Sequence, residues 1–331
     1  MIRRPPRSTL SSSSAASDVY KRQKKLILIA DLGATNARFC ITEEGNEYSD
    51  VKTYPISKFT NLEELLELYL SDTGKLKGVN KAIIGVAAPI LGDDVSFVNV
   101  DLEFKISSLK KNLFTKGLRV VNDLALQAYA VFNLHSKDIK YIGERKITDE
   151  PKILISPGTG LGLAGIVDNS VVSTEAGHIN ISDKVLKPDL KKIVDKFIED
   201  NSRVPTYEDF LSGKGISFFY RTLSQNNLKN FTNEEILSNR QDENCIRAIG
   251  LQNYLLASYL RYMALVWGAK GGVLLAGSIV NSLIHEEDHD SFRSTFEDSE
   301  TMKKFMQQIP LALLTIQDIG FAGGMELAKK L

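Results

Sequence analysis

From residue 24 onward apolar residues fall in short runs, and turn-forming residues set the limits of each run. The segment KLILIADLGATNARFCIT predicts a strand, a tight glycine-containing turn and a second strand. Residues 61–70, NLEELLELYL, have helical spacing, with Asn61 placed to cap the first turn. KAIIGVAAPI reads as a buried strand, LRVVND as a short strand and LALQAYAVF as the helix that follows it. PKILISPGTGLGLAGIVD repeats the opening design of strand, Gly/Thr turn and strand. Residues 185–240 are charged and amphipathic, which predicts mostly helix. Residues 245–267 place Ile246, Ile249, Tyr254, Leu255, Tyr259, Tyr262, Met263 and Val266 at helical spacing. GGVLLAGSIV is a strand ending in a glycine turn. A last strand, IPLALLTI, precedes a Gly-rich turn and a short helix at 322–331. Strands alternating with helices predict α/β architecture. The two strand–turn–strand segments suggest an internal duplication, with a ligand site in the cleft between the copies.

The first 23 residues, MIRRPPRSTLSSSSAASDVYKRQ, break this pattern, being rich in Arg, Pro and Ser with few core-forming residues. Such a segment cannot bury enough apolar surface to offset the entropy of ordering it. No apolar stretch follows its arginines, as a secretory signal would require. We treat residues 1–23 as a disordered or non-native leader. The 331-residue length suits two lobes, and 43% hydrophobic residues suffice for their cores. Forty-one basic and 41 acidic residues leave no net charge, so nothing global favours nucleic acid or an anionic membrane. No apolar run reaches the ~20 residues that span a bilayer. Cys40 and Cys245, far apart, make neither a disulfide framework nor a zinc motif and fit a reducing compartment.

Candidate chemistry gathers at the two glycine turns and at a few polar residues. Asp31-Leu32-Gly33-Ala34-Thr35 lies directly between two apolar runs, as does Gly158-Thr159-Gly160-Leu161-Gly162. Glycine turns of this kind can present successive backbone N–H groups to phosphate oxygens, with threonine adding a hydroxyl. Either sequence also suits a plain hairpin turn. Neither is a P-loop, and neither is the G-x-G-x-x-G that opens a dinucleotide-binding helix. Asp31 could stand in the outer shell of a Mg²⁺ ion carried by the phosphates. Asn122-Asp123, between a strand and a helix, has the makings of a helix cap. An aspartate there could also accept a hydroxyl proton beside a cleft. Glu175 and His178, three apart, could meet one ligand or form a surface pair, and Glu208 has the same two readings.

Taken in order, these residues resemble the bacterial glucokinase family. LILIADLGATNARF and ISPGTGLGLAGIV are similar to its two phosphate motifs, and VVNDLALQAYAV to its Asn-Asp segment. TEAGHINIS and YEDFLSGKGISFFY are similar to its sugar motifs, GGVLLAGSIVNSL to its adenosine motif, and FRSTFEDSETMKKFMQQIPLALL to its C-terminal region. The resemblance covers most of residues 24–331. It implies the two-lobed actin-like ATPase (ribonuclease H-like) fold with a central cleft. Residues 24–133 would form a small α/β lobe joined by a C-terminal helix at 321–331, and residues 134–320 a large α/β lobe. It further implies a cytoplasmic enzyme that uses ATP and Mg²⁺ to phosphorylate the 6-hydroxyl of glucose, and a homodimer for which the sequence itself shows no interface. Another hexose or amino sugar as substrate, or a non-kinase sugar sensor or actin-like ATPase, are the competing readings. Carried over by position, Asp123 is the base, and Asn122, Asp123, Glu175, His178 and Glu208 hold the sugar. Ala30, Asp31, Leu32, Gly33, Ala34, Thr35, Gly158, Thr159, Gly160, Gly162 and Gly277 hold the nucleotide. Three residues depart from the family pattern: Ala34, Ala176 and Ser278 each stand where glycine is common. The cysteine-rich zinc loop of the related ROK kinases is missing, since no cysteine lies between Cys40 and Cys245.

Overall fold

The computed structural model describes residues 25–43, 46–97, 100–182, 187–224 and 231–331; the leader 1–23 lies outside them. The chain opens with an antiparallel meander of β1 (Leu26–Leu32), β2 (Asn36–Glu43) and β3 (Tyr48–Pro55). Helix α1 (Leu62–Asp72), capped by the Asn61 side chain, leads to β4 (Lys81–Val86), which lies parallel to β1. A small hairpin, β5 (Asp94–Ser96) and β6 (Glu103–Lys105), precedes α2 (Ile106–Asn112). Strand β7 (Gly117–Asn122), parallel to β4, then runs straight into α3 (Asp123–Tyr129).

After a short β8 (Ile139–Tyr141) the design repeats. Strands β9 (Lys152–Pro157), β10 (Leu161–Val167) and β11 (Ser170–Thr174) form the second meander. A helical block follows: α4 (Pro188–Asn201), α5 (Tyr207–Leu211), α6 (Gly213–Ser224), α7 (Asn233–Ser238) and the long α8 (Glu243–Trp267). Strand β12 (Gly272–Leu275) returns parallel to β9. After α9 (Ser278–Leu283), α10 (His289–Glu297) and α11 (Lys303–Met306), β13 (Leu311–Leu314) lies parallel to β12. Helix α12 (Ile319–Ala328) ends the fold. The sheet orders β3-β2-β1-β4-β7 and β11-β10-β9-β12-β13-β8 coincide over five strands. The repeated glycine turn therefore marks a repeated topology.

Strand alternation decides what each face carries. Leu28, Ala30 and Leu32 of β1 pack with Leu62, Leu65, Leu66 and Tyr69 of α1. Ile27 and Ile29 face the other way, clustering with Leu126 and Leu327 and with Phe321 respectively. Asp31 shares that second face. Helix α3 is wedged between the two sheets. Its Leu124 and Ala128 pack with Leu154, Ala164 and Leu274 of the second sheet, whereas Leu126 and Tyr129 pack with Ile27 and Ile83 of the first. Two glycines make room for it. A Cβ on Gly85 of β4 would come within 2.6 Å of the Leu126 side chain, and one on Gly162 of β10 within 2.9 Å of Leu124.

Two expectations change. The Gly-rich segment before the last helix belongs to that helix, which starts at Ile319 and contains Gly320, Gly323 and Gly324. On α8, Ile246 and Val266 are exposed (47% and 75%), although both have the spacing of the apolar face. Each lies within a turn of a helix end, where fewer neighbours reach over the helix. No helix among the described residues is long and apolar enough to cross a membrane.

Candidate active site

The parallel strands place the candidate residues at their carboxyl ends, where open α/β sheets bind ligands. Asp31 is next to last in β1, Asn122 ends β7 with Asp123 directly after it, Gly158 follows β9 and Gly277 follows β12. Asn122 is the N-cap of α3, its side-chain oxygen accepting from the amides of Leu124 (3.0 Å) and Ala125 (3.2 Å). The capping role thus falls to Asn122, and Asp123 is the first helical residue. Asp123 accepts from the Leu124 amide through Oδ1 at 2.8 Å. Its Oδ2 has no hydrogen bond to another described residue.

Burial pushes the Asp123 carboxyl up from 3.8 to about 6. Its bond to the Leu124 amide works against that shift, and the negative charge of Glu175 adds to it. Asp31 is likewise raised to about 6, by burial first and then by the charge of Asp123; Arg38 opposes this and Asp318 reinforces it. Two strands and two helix starts therefore gather four carboxylates whose charges interact. A cation beside them would be stabilised, which is the fit a divalent ion requires. Among the described residues no three His, Cys, Asp or Glu side chains cluster as direct metal ligands.

The turns themselves are closed by backbone bonds, Gly33 N–H to Asn36 O (3.0 Å) and Gly158 N–H to Gly160 O (2.8 Å). Thr35 and Thr159 stand exposed at their tips, while Ala30 and Leu32 point into the core behind the first turn. Neither turn uses a left-handed glycine. In the second turn Gly160 and Gly162 serve close approach instead, whereas a Cβ on Gly33 or Gly158 would meet nothing closer than 3.6 Å. A Cβ on Gly160 would sit 2.7 Å from Glu208 Oε2, and the same oxygen accepts from the Leu161 amide at 2.9 Å. Gly277 does need positive φ (+102°), and its Cβ position lies 3.0 Å from the Pro157 carbonyl, against the second turn. The Gly213 amide also donates to Gly158 O at 2.9 Å. Asn233, opening α7, donates to the Gly213 carbonyl and accepts from Ser217. Gly158, Gly213, Asn233 and Gly277 thereby form one continuous wall.

Glu208 is held firmly. Thr206 and Asp209 form a capping box on α5, and Arg203 grips Asp209 with two bonds of 2.7 and 2.6 Å. Tyr207 N–H to Ile179 O (3.0 Å) and Ile181 N–H to Pro205 O (2.9 Å) tie α5 to the Glu175–His178 segment. Glu175 and His178 approach each other to 3.8 Å, with both side chains more than half exposed. Their turn rests on Gly177, where a Cβ would meet the Leu161 carbonyl at 2.2 Å. The three departures from glycine all fall at tolerant places. Ala34 does not have positive φ, Ala176 sits beside the obligatory Gly177, and Ser278 follows the left-handed Gly277.

Sequence reading missed Arg38, Asp318 and Gly320. Arg38 stands opposite Asp31 in the β1–β2 pairing, and Asp318 precedes α12. A Cβ on Gly320 would come within 2.4 Å of Asp31 Oδ2, so the first turn of α12 lies against that carboxylate. The Arg38–Asp318 pair spans 280 residues, a separation that no local pattern signals.

A family model described as glucokinase matches residues 28–331. A glucokinase of Neisseria gonorrhoeae is 30% identical over 308 residues, covering 89% of this chain and 92% of that protein. The crystal structure of a glucokinase from an Antarctic psychrotroph is 27% identical, with a TM-score of 0.75 over 93% of this chain and 99% of its own. A glucokinase of Balamuthia mandrillaris, solved with glucose, is 20% identical and has a TM-score of 0.77 over 97% of this chain and all of its own; that likeness speaks for the two-lobed fold.

Proposed function

The chain belongs to the glucokinase family, and from that premise we propose that it transfers the γ-phosphoryl group of ATP to the 6-hydroxyl of glucose, yielding glucose 6-phosphate and ADP. The observation that carries this reading is Asp123: a carboxylate with one uncommitted oxygen, on a helix wedged between two duplicated sheets. Residues 24–133 with the C-terminal helix form the small lobe, and residues 134–320 the large lobe. The enzyme acts in the cytoplasm at the entry to glycolysis.

Asp123 accepts the 6-hydroxyl proton as the oxygen attacks phosphorus. Phosphoryl transfer depends mostly on positioning and charge stabilisation, so a carboxylate suffices as base. Asn122, Glu175, His178 and Glu208 orient the sugar, whose hydroxyls each both donate and accept. The turns at Asp31–Thr35 and Gly158–Gly162 hold phosphates, and the Gly277 turn borders the adenosine. Asp31 would hold Mg²⁺ through water, and the bound ion would offset charge on the phosphate oxygens. A coupled assay over glucose, mannose, fructose, glucosamine and N-acetylglucosamine tests the reading. Glucose should give the highest kcat/KM, and a preference for any other sugar overturns the substrate assignment.

Two further results are expected. Only the ionised Asp123 can take a proton. With its carboxyl raised to about 6, kcat/KM for glucose should fall as pH drops through about 6 and level off above 7. A half-point near 4 would show a different titrating base. Stability runs the other way. A carboxyl raised on folding favours the folded state below its ordinary 3.8 and loses that contribution as pH rises through about 6. The ligand-free protein should therefore melt higher at pH 5 than its other carboxylates alone would allow. Glu208→Gln should raise the glucose KM about tenfold, because a charged acceptor forms stronger bonds to sugar hydroxyls than an amide. Steady-state kinetics check this, and an unchanged KM would remove Glu208 from the sugar site.

A further inference from the structure

Asp31 and Arg38 face each other across adjacent antiparallel strands, the arrangement in which opposite charges ordinarily pair. They do not pair by a hydrogen bond. Arg38 is instead in an ion pair with Asp318 Oδ1. The other oxygen of Asp318 accepts from the Tyr48 hydroxyl at 3.1 Å. The Arg38 guanidinium also lies 4.9 Å from the centre of the Phe321 ring, itself 5.4 Å from the Tyr48 ring. The guanidinium is thus held from two sides, both supplied by the start of α12.

Asp318 breaks two local rules in making this contact. Its backbone is left-handed (φ +52°, ψ +48°), a conformation that costs a non-glycine residue about 1 kcal/mol or more. It also sits at the N-cap of α12, where aspartate normally accepts from the first-turn amides, yet it makes no capping bond. Both oxygens are spent on Arg38 and Tyr48. Side chains that forgo local satisfaction for a distant contact mark functional positions.

We propose that Asp318 is a positioning residue for nucleotide binding: it holds Arg38 away from the facing Asp31, so that the Asp31 carboxylate stays free for the hydrated divalent cation of the nucleotide. The proposal rests on the phosphoryl-transfer reading given above. An Arg–carboxylate pair is strong and often bidentate. If Arg38 were released it would fall onto Asp31 and cancel the charge that faces the cation. The other charges around Asp31 are acidic: Asp123 at the start of α3 and Asp318 itself. Among the described residues no second cation acts on Asp31 to take the place of Arg38.

The test measures binding of AMPPNP to the full chain by calorimetry, with and without Mg²⁺. In the wild type Mg²⁺ should tighten binding, and in Asp318→Asn that tightening should shrink about tenfold while metal-free affinity stays within twofold. Asparagine suits the left-handed backbone, and Asp318→Gly, which suits it without strain, repeats the measurement should the asparagine variant fold poorly. Arg38→Gln combined with Asp318→Asn should restore the Mg²⁺ effect to within twofold of wild type, since no guanidinium remains to fall onto Asp31. A merely structural role for Asp318 would weaken binding with and without Mg²⁺ alike and would not be rescued by the second change. Three results overturn the proposal: an unchanged Mg²⁺ effect in the single variant, a double variant no better than the single, or a tenfold loss in Arg38→Gln alone, which would make Arg38 a direct phosphate ligand. Wild-type protein that binds no AMPPNP would instead overturn the kinase reading, a separate outcome.

Discussion

Asp123→Asn should lower kcat for glucose phosphorylation by about 10³-fold, within the range that a positioned general base contributes. The amide is nearly the same size, and its oxygen can still accept from the Leu124 amide, the bond that Oδ1 makes now. The helix keeps its start, because Asn122 is the cap. Glucose and nucleotide affinities should therefore stay within a few-fold of wild type, by calorimetry. The variant should also melt no lower than wild type at pH 7.5. A carboxyl raised to about 6 is a group whose charged form the surroundings disfavour, and an amide removes that burden. Near-normal kcat, with binding intact, would end the assignment of Asp123 as base.

The largest effect on stability is expected at Gly323. A Cβ there would lie 1.7 Å from the carbonyl oxygen of Leu126, and 3.2 Å from the Ala130 amide nitrogen. Backbone cannot rotate away as a side chain can, so α12 would have to lift from α3. Its neighbour Gly324 is pressed on Ile29 at 2.4 Å, and Gly320 on Asp31, so the whole face is fitted to close approach. Gly323→Ala should cost about 3 kcal/mol or more, at the severe end of single substitutions. That corresponds to a fall of about 4 °C or more in Tm for a protein of 331 residues. Helix propensity predicts the opposite sign, because alanine is favoured over glycine by about 1 kcal/mol within a helix. A variant melting at or above the wild-type temperature would show that α12 is not seated on α3 as described. Because α3 begins at Asp123, activity should fall along with stability.

Much of the central framework was legible in the sequence because it follows from local rules. Strands β1, β4, β9, β12 and β13 are buried on both faces and appear as continuous apolar runs. Two edge strands, β3 and β11, were not legible, although the edge strand β7 was. In β3, YSDVKTYP, and β11, SVVST, most positions are exposed or half-buried, so no run announces them. They form because a paired neighbour offers its free hydrogen-bonding edge, which is a tertiary fact. The glycines of FAGGMELA read as a turn for a related reason. Only the nearness of the Leu126 carbonyl and Ile29 turns a helix-weakening residue into the one that fits.

The same division runs through the candidate site. Asp31, Asp123 and Glu175 announced themselves by lying next to glycine turns and strand ends, where local geometry limits what a side chain can do, and Glu208 only by its resemblance to a family motif. Arg38 and Asp318 did not, since their meaning is an ion pair closed across the whole chain. The sequence alone determined the repeated strand–turn–strand units, the ordered motifs and the acidic residues at the strand ends, because hydrophobic period and turn chemistry act over a few residues. Which carboxylates lie close together, which glycines a neighbour's backbone or side chain crowds, and how α12 sits against α3 and Asp31 were decided only when distant segments packed, because charge and excluded volume act between neighbours in space.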